Sequence, residues 1–252
     1  MTKLRNCKLN SVIQTELQII TMTTIDQEEV EKFSRIADEW WDLNGNFKPL
    51  HKFNPIRVNY IKNQIKDLDK LEILDIGCGG GLVTEEFAKL GANITGIDAS
   101  EKNIKVASLH SQKSNLDINY ICTSAEDLAM KNKQYDVVFA LEIIEHVADV
   151  EEFIKSCSKL VKKDGFLFIA TMNRTLKSLA LAKFATEYVL RWLPIGTHDW
   201  NKFLKPSEIE IIAKENNLSL TDQSGFSYNI FKDEWKESND LNINYISLYI
   251  KK

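Results

Sequence analysis

From residue 71 onward, apolar runs of strand length alternate with longer segments whose apolar positions recur at helical spacing. The strand-length runs lie at 71–76, 93–98, 118–122, 135–141 and 165–171, and helical segments lie between them at 83–90, 101–114 and 150–161. Parallel neighbours need a crossover long enough to carry a helix, so this order predicts an α/β fold with a doubly wound, mostly parallel sheet. After residue 171 the pattern changes to an insertion at 172–201, a helix from Ser207, and strands near 218–226 and 243–250, which brings the expected sheet to seven strands. Upstream, Thr23-Thr24-Ile25-Asp26-Gln27-Glu28-Glu29 reads as a helix start with early acids, and N-terminal helices are expected within 25–66. The reading is one domain over 25–252, preceded by an extension at 1–24 to which no function is given.

Composition narrows the class. The chain has 252 residues and a formal charge of −4, which argues against a general nucleic-acid binder relying on a positive field. Cys7, Cys78, Cys122 and Cys157 lie far apart with no CxxC pair, so neither a disulfide framework nor a thiolate zinc site is expected. Apolar runs are strand-sized, too short to span a bilayer, and the first residues lack a secretory pattern. A cytoplasmic protein in a reducing compartment is the expectation.

The strand at 71–76 runs into Gly77-Cys78-Gly79-Gly80-Gly81, and a helix pattern follows at once. Glycine is needed where backbone turns tightly and approaches a ligand without a Cβ in the way. Asp98, 21 residues beyond Gly77, ends the next strand, where a carboxylate can accept hydrogen bonds from both hydroxyls of a ribose. A nucleoside site follows from the two together. A dinucleotide fold wants its third glycine at the position of Leu82, so an NAD-dependent oxidoreductase is the weaker alternative. Asp75, just before the turn, repels phosphates and favours a cationic or amino-bearing ligand, which S-adenosylmethionine satisfies.

These words resemble a known family. Leu74-Asp75-Ile76-Gly77-Cys78-Gly79-Gly80-Gly81 resembles the first motif of class I S-adenosylmethionine-dependent methyltransferases, and Gly96-Ile97-Asp98 their ribose-binding acid. Thr123-Ser124-Ala125-Glu126-Asp127-Leu128 resembles the loop flanking the adenine, with Ser124 where an acid is usual, and Leu141 ends a run resembling the fourth strand, along the cofactor. Trp40-Trp41-Asp42-Leu43, Phe47-Lys48-Pro49-Leu50-His51, Asn54-Pro55-Ile56-Arg57, Glu142-Ile143-Ile144-Glu145-His146-Val147 and Pro194-Ile195-Gly196-Thr197-His198-Asp199 together resemble the ubiquinone-biosynthesis O-methyltransferases. The likeness runs from about Ile25 to the C-terminus.

The resemblance implies a Rossmann-like class I fold with an antiparallel last strand. It implies methylation of a ring hydroxyl on 2-polyprenyl-6-hydroxyphenol and 3-demethylubiquinol, with S-adenosylmethionine as donor. It further implies that Arg57 touches the carboxylate of the cofactor's methionine tail, and that Glu142, Glu145 and His146 hold a divalent metal, reported for the family as magnesium. Magnesium prefers oxygen ligands, so a histidine in the set leaves zinc, iron or manganese open. His146 can instead accept the phenol proton, with Glu142 beside it, if a helix after the fourth strand puts the three on one face. The bland reading is a helix-start glutamate and a satisfied histidine. His198 is a second candidate base; Trp40 and Trp41 read as packing, as does Cys78.

Within the insertion, Leu181, Ala185, Tyr188, Val189, Trp192 and Leu193 recur at helical spacing, with Lys177, Lys183, Glu187 and Arg191 on the other side. Such a helix lies either in a bilayer interface or against the core. A substrate that lives in the bilayer favours peripheral contact with membrane lipids, on the inner face of the cell membrane. Association with other quinone-biosynthesis enzymes is left open.

Overall fold

The structure, a computed structural model, describes residues 23–180, 199–229 and 232–252. Among the described residues eight strands form one sheet: β1 Glu72–Ile76, β2 Asn93–Asp98, β3 Asn119–Cys122, β4 Tyr135–Leu141, β5 Val161–Met172, β6 Leu218–Asn229, β7 Glu234–Ser238 and β8 Asn244–Lys251. Their order is β3-β2-β1-β4-β5-β8-β6-β7. β1 to β5 pair in parallel, β8 runs antiparallel to both β5 and β6, and β7 forms an antiparallel hairpin with β6. The sheet thus has one strand more than the expected seven. The added strand is β7, which pairs on one side only and buries none of its residues.

The helices of five or more residues among those described are α1 Gln27–Arg35, α2 Lys48–Gln64, α3 Leu82–Lys89, α4 Glu101–Lys113, α5 Ala125–Ala129, α6 Val150–Leu160 and α7 Pro206–Glu215. They cover both faces of the sheet and leave two apolar cores. Leu74, Val138, Leu167 and Ile169 point to one side, where α6 and α7 supply Phe153, Leu160 and Ile209. Ile73, Val137, Phe139 and Phe168 point to the other, against Tyr60 and Ile61 of α2 and Phe87 of α3. Alternate residues of the same strands serve opposite cores, as the period of two requires. Local chemistry starts several of these helices: Asp26 caps α1, Ser100 α4, Ser124 α5 and Asp149 α6, each side chain accepting from backbone N–H groups of the first turn.

The chain is tied in from Thr24, which the sequence reading assigned to the extension. Thr24 is buried, and its N–H and hydroxyl both donate to the Glu126 carboxylate, at 2.6 and 2.9 Å. Ile25 bridges Val147. Among the described residues no helix is long and apolar enough to cross a membrane. Leu181 to Leu193 and His198, with the amphipathic pattern read there, lie outside the described residues.

Candidate active site

The turn after β1 is built by backbone that only glycine tolerates. Gly77 and Gly79 have φ of +70° and +53°, and a Cβ on Gly79 would lie 2.3 Å from Trp40 Cζ2. The N–H groups of Gly77 and Cys78 both donate to Ile97 O, at 2.8 and 2.9 Å, which ties the turn to the end of β2. There Asp98 accepts from Gly79 N–H at 3.0 Å, Ser100 N–H at 2.8 Å and Asn103 Nδ2 at 3.2 Å. Burial pushes the Asp98 pKa up, against these hydrogen bonds. The carboxylate is therefore held rigidly at the carboxyl edge of the sheet.

A cleft with about 780 Å³ of empty space opens beside this turn. Gly77, Gly79, Asp98, Ser124, Ala125, Glu142 and His146 all line it, so seven of the expected site residues meet on one surface. The strand order β2-β1-β4 puts Asp98 and His146 on either side of the glycine turn. Ser124 spends its hydroxyl on Asp127 N–H, as the cap of α5.

Arg57, Asp75, Leu141 and Glu145 do not line the cleft; they are buried behind it. Arg57 lies 3.6 Å from Glu142 Oε1 and donates to Asn54 Oδ1 at 3.3 Å, while Asn54 Nδ2 donates to Leu82 O. The Asn54-Pro55-Ile56-Arg57 word thus joins α2 to the start of α3. Asp75 accepts from Thr84 Oγ1 at 2.6 Å, and burial pushes its pKa up to about 7, opposed by that hydrogen bond and by Arg57. Burial and then the charge of Glu145 push Glu142 upward too. Three carboxyls face one guanidinium here, an acidic excess under the cleft that favours a cationic ligand.

The segment after β4 does not form the helix that would put the three candidates on one face. Glu142 has φ of +55°, a left-handed conformation that ends any regular run, and only Ile144–His146 forms a single 3₁₀ turn. Glu142, Glu145 and His146 therefore do not share a helical face. Glu145 turns inward and accepts from Thr171 Oγ1 at 2.8 Å, whereas His146 Nδ1 meets Glu29 Oε2 at 3.0 Å. As they stand, the three do not compose a ligand set, and among the described residues no group of three or more His, Cys, Asp or Glu side chains converges to hold a metal ion.

Several lining residues escaped the sequence reading. Asp26, the cap of α1, and Glu29, Val30 and Phe33 within it lie at spacings of three and four and line the same cleft as the glycine turn. That spacing was the available signal. Trp40, read as packing, lines the cleft too while donating through Nε1 to Asn103 Oδ1 at 3.0 Å and stacking on Phe47. Trp41 reaches Gly80 O from outside, its ring flat on His110.

A sheet of this order, with a glycine turn after β1 and an acid ending β2, defines a Rossmann-like class I methyltransferase. A family model described as a methyltransferase domain matches residues 74–169. Among solved structures, magnesium protoporphyrin IX methyltransferase from Synechocystis with bound S-adenosylmethionine is 17% identical, covers 85% of this chain and 90% of that one, and has a TM-score of 0.59. A methyltransferase from Thermotoga maritima, described as S-adenosylmethionine-dependent, is 16% identical, covers 89% and 100%, and has a TM-score of 0.62. Among sequences, a ubiquinone biosynthesis O-methyltransferase from Pelagibacter ubique is 53% identical over 240 residues, 91% of this chain and 100% of that protein. One from Bartonella bacilliformis is 49% identical over 239 residues, 90% and 96%. The chain belongs to the ubiquinone biosynthesis O-methyltransferase family.

Proposed function

We propose that the chain methylates a ring hydroxyl of polyprenylated phenols, 2-polyprenyl-6-hydroxyphenol and 3-demethylubiquinol, with S-adenosylmethionine as donor. The observation that carries this reading is one cleft in which Asp98, a ribose-binding acid by position, and His146, a candidate base, flank the glycine turn. The cleft fits such a donor: tight backbone at Gly77 and Gly79, a carboxylate at Asp98, and an acidic excess beneath suited to a sulfonium and an ammonium group. When bound, S-adenosylmethionine supplies an electrophilic methyl group, and the C–S electron pair returns to sulfur as the O–C bond forms. His146 accepts the phenol proton, which otherwise leaves only near pH 10, and later releases it to solvent. Glu142 stands on the same wall, and its raised pKa suits it to help carry that proton out. Arg57 and Asp75 act from behind the wall, setting the charge and position of Glu142 and of the turn.

A divalent cation enters no step of this reading. Glu142 Oε1 and Glu145 Oε1 are both buried without a hydrogen-bond partner, which a cation would remedy, and with Nδ1 of His146 on Glu29 the imidazole would ligate such a cation through Nε2. A chelator assay decides: loss of methyl transfer on chelation, restored by magnesium, zinc or manganese, would add the metal.

Calorimetry should find binding of S-adenosylmethionine and none of NAD. Methyl transfer to a prenylated catechol should be catalysed, and His146→Ala should lower turnover by about 10²- to 10⁴-fold. Full activity in that variant removes the base. The segment 172–201 is proposed to rest on the bilayer's inner face and give access to the prenylated acceptor. Replacing Leu181, Tyr188 and Trp192 by charged residues should abolish sedimentation with liposomes, and unchanged sedimentation would discard the membrane contact.

A further inference from the structure

α1 has no buried residue, yet it closes one side of the cleft. Polar contacts hold it there. Ser34 Oγ lies 2.6 Å from Ser100 Oγ, and Lys202 donates to Asp26 Oδ2 at 3.0 Å and to Glu29 Oε1 at 3.2 Å. The other oxygen of Glu29 is 3.0 Å from His146 Nδ1, across 117 residues of sequence. Phe33, one turn further along α1, sets its ring edge-on to the imidazole with centroids 5.0 Å apart. Both side chains of the contact are largely withdrawn from solvent, 9% exposed for His146 and 16% for Glu29. This distinguishes it from the open ion pair of Arg35 and Glu31 on the same helix, 77% and 69% exposed.

A carboxylate only accepts hydrogen bonds, so the imidazole nitrogen that meets Glu29 must carry a proton, which makes Nε2 the basic nitrogen of the neutral ring. Resting on the reading of His146 as the group that takes the acceptor's proton, we propose that Glu29 is a positioning residue for that histidine. Its carboxylate fixes the tautomer and the ring plane, with Phe33 bracing the ring's face. Because Glu29 rides on α1, the base is oriented only when this helix lies over the cleft. Closure around the bound methyl donor and assembly of the base are then one event.

A double-mutant cycle on the full chain tests this, with turnover measured on a prenylated catechol and cofactor affinity measured by calorimetry. Glu29→Ala should lower kcat by about tenfold to a hundredfold, the cost of a misplaced reacting group, with a much smaller change in S-adenosylmethionine Kd. Glu29→Gln, which keeps an acceptor at the same reach, should recover part of the loss, and it stands in for Glu29→Ala should that variant not fold. In a His146→Ala background either change should slow the enzyme no further. Lys202→Met loosens α1 and with it Glu29, so it too should lower kcat, and like Glu29→Ala it should do so only while His146 is present. Equal losses from Glu29→Ala with and without His146, or from Lys202→Met with and without His146, overturn the positioning role while the base reading stands. Full turnover in His146→Ala overturns both.

Discussion

Asp75 lies under the glycine turn with 3% of its surface exposed, and its burial outweighs the hydrogen bond from Thr84 and the charge of Arg57. In the unfolded chain such a carboxyl titrates near pH 4, whereas the folded protein holds its proton up to about 7. Between those values the native state binds the extra proton, so stability conferred at low pH is lost as pH rises through the window. Asp75→Asn keeps an acceptor for Thr84 and removes the titration. Its thermal midpoint should vary less between pH 5 and 8 than the wild type's and should be higher at pH 8; identical pH slopes by calorimetry would refute this. The same variant should bind S-adenosylmethionine more weakly, because the acidic excess beneath the cleft is reduced. Asp98→Ala should weaken the same binding more severely, since it removes the acceptor and also orphans the N–H groups of Gly79 and Ser100. Wild-type affinity in that variant would remove the ribose role.

The turn between β1 and α3 and the ring of Trp40 form one packed unit. An alanine at Gly79 meets both a left-handed backbone and the indole, so Gly79→Ala should cost about 2 kcal/mol or more of stability and abolish cofactor binding. Adding Trp40→Ala should restore part of the stability, leaving the backbone penalty; no recovery in a denaturant melt would place the strain elsewhere. The strap at 23–26 is anchored to α5 through Glu126, which takes both polar groups of Thr24, while Ala148 N–H donates to Thr24 O at 2.9 Å. Glu126→Ala should therefore speed amide hydrogen exchange across the strap and α1 while leaving β1 and β4 protected. Equal protection in both proteins would mean that the strap is held by other contacts.

Across the molecule, periodicity was enough to find the parallel half of the sheet, because alternating burial and helical crossovers are local properties. The strands expected at 71–76, 93–98 and 135–141 are β1, β2 and β4 within a residue at each end. β7 was not legible: Glu234-Trp235-Lys236-Glu237-Ser238 is polar along most of its length, and only its pairing with β6 at the sheet's edge makes it a strand. For the turn after β4 the spacing of Glu142, Glu145 and His146 offered a shared face only on the condition of a helix, and that condition fails: Ala170 O, on the neighbouring strand, takes the N–H of Glu142, whose backbone is left-handed. Glycines that only a tight turn requires, an acid at a strand end and the family words around them were enough to reach the family and to single out Gly77, Gly79, Asp98 and His146, which line one cleft. Which groups face the cleft was decided by tertiary packing: α1 laid across the sheet's carboxyl edge brings Glu29 to His146, and the glycine turn closes on Trp40. Those contacts join residues distant in sequence, and no local pattern encodes a distance that only the folded chain makes short.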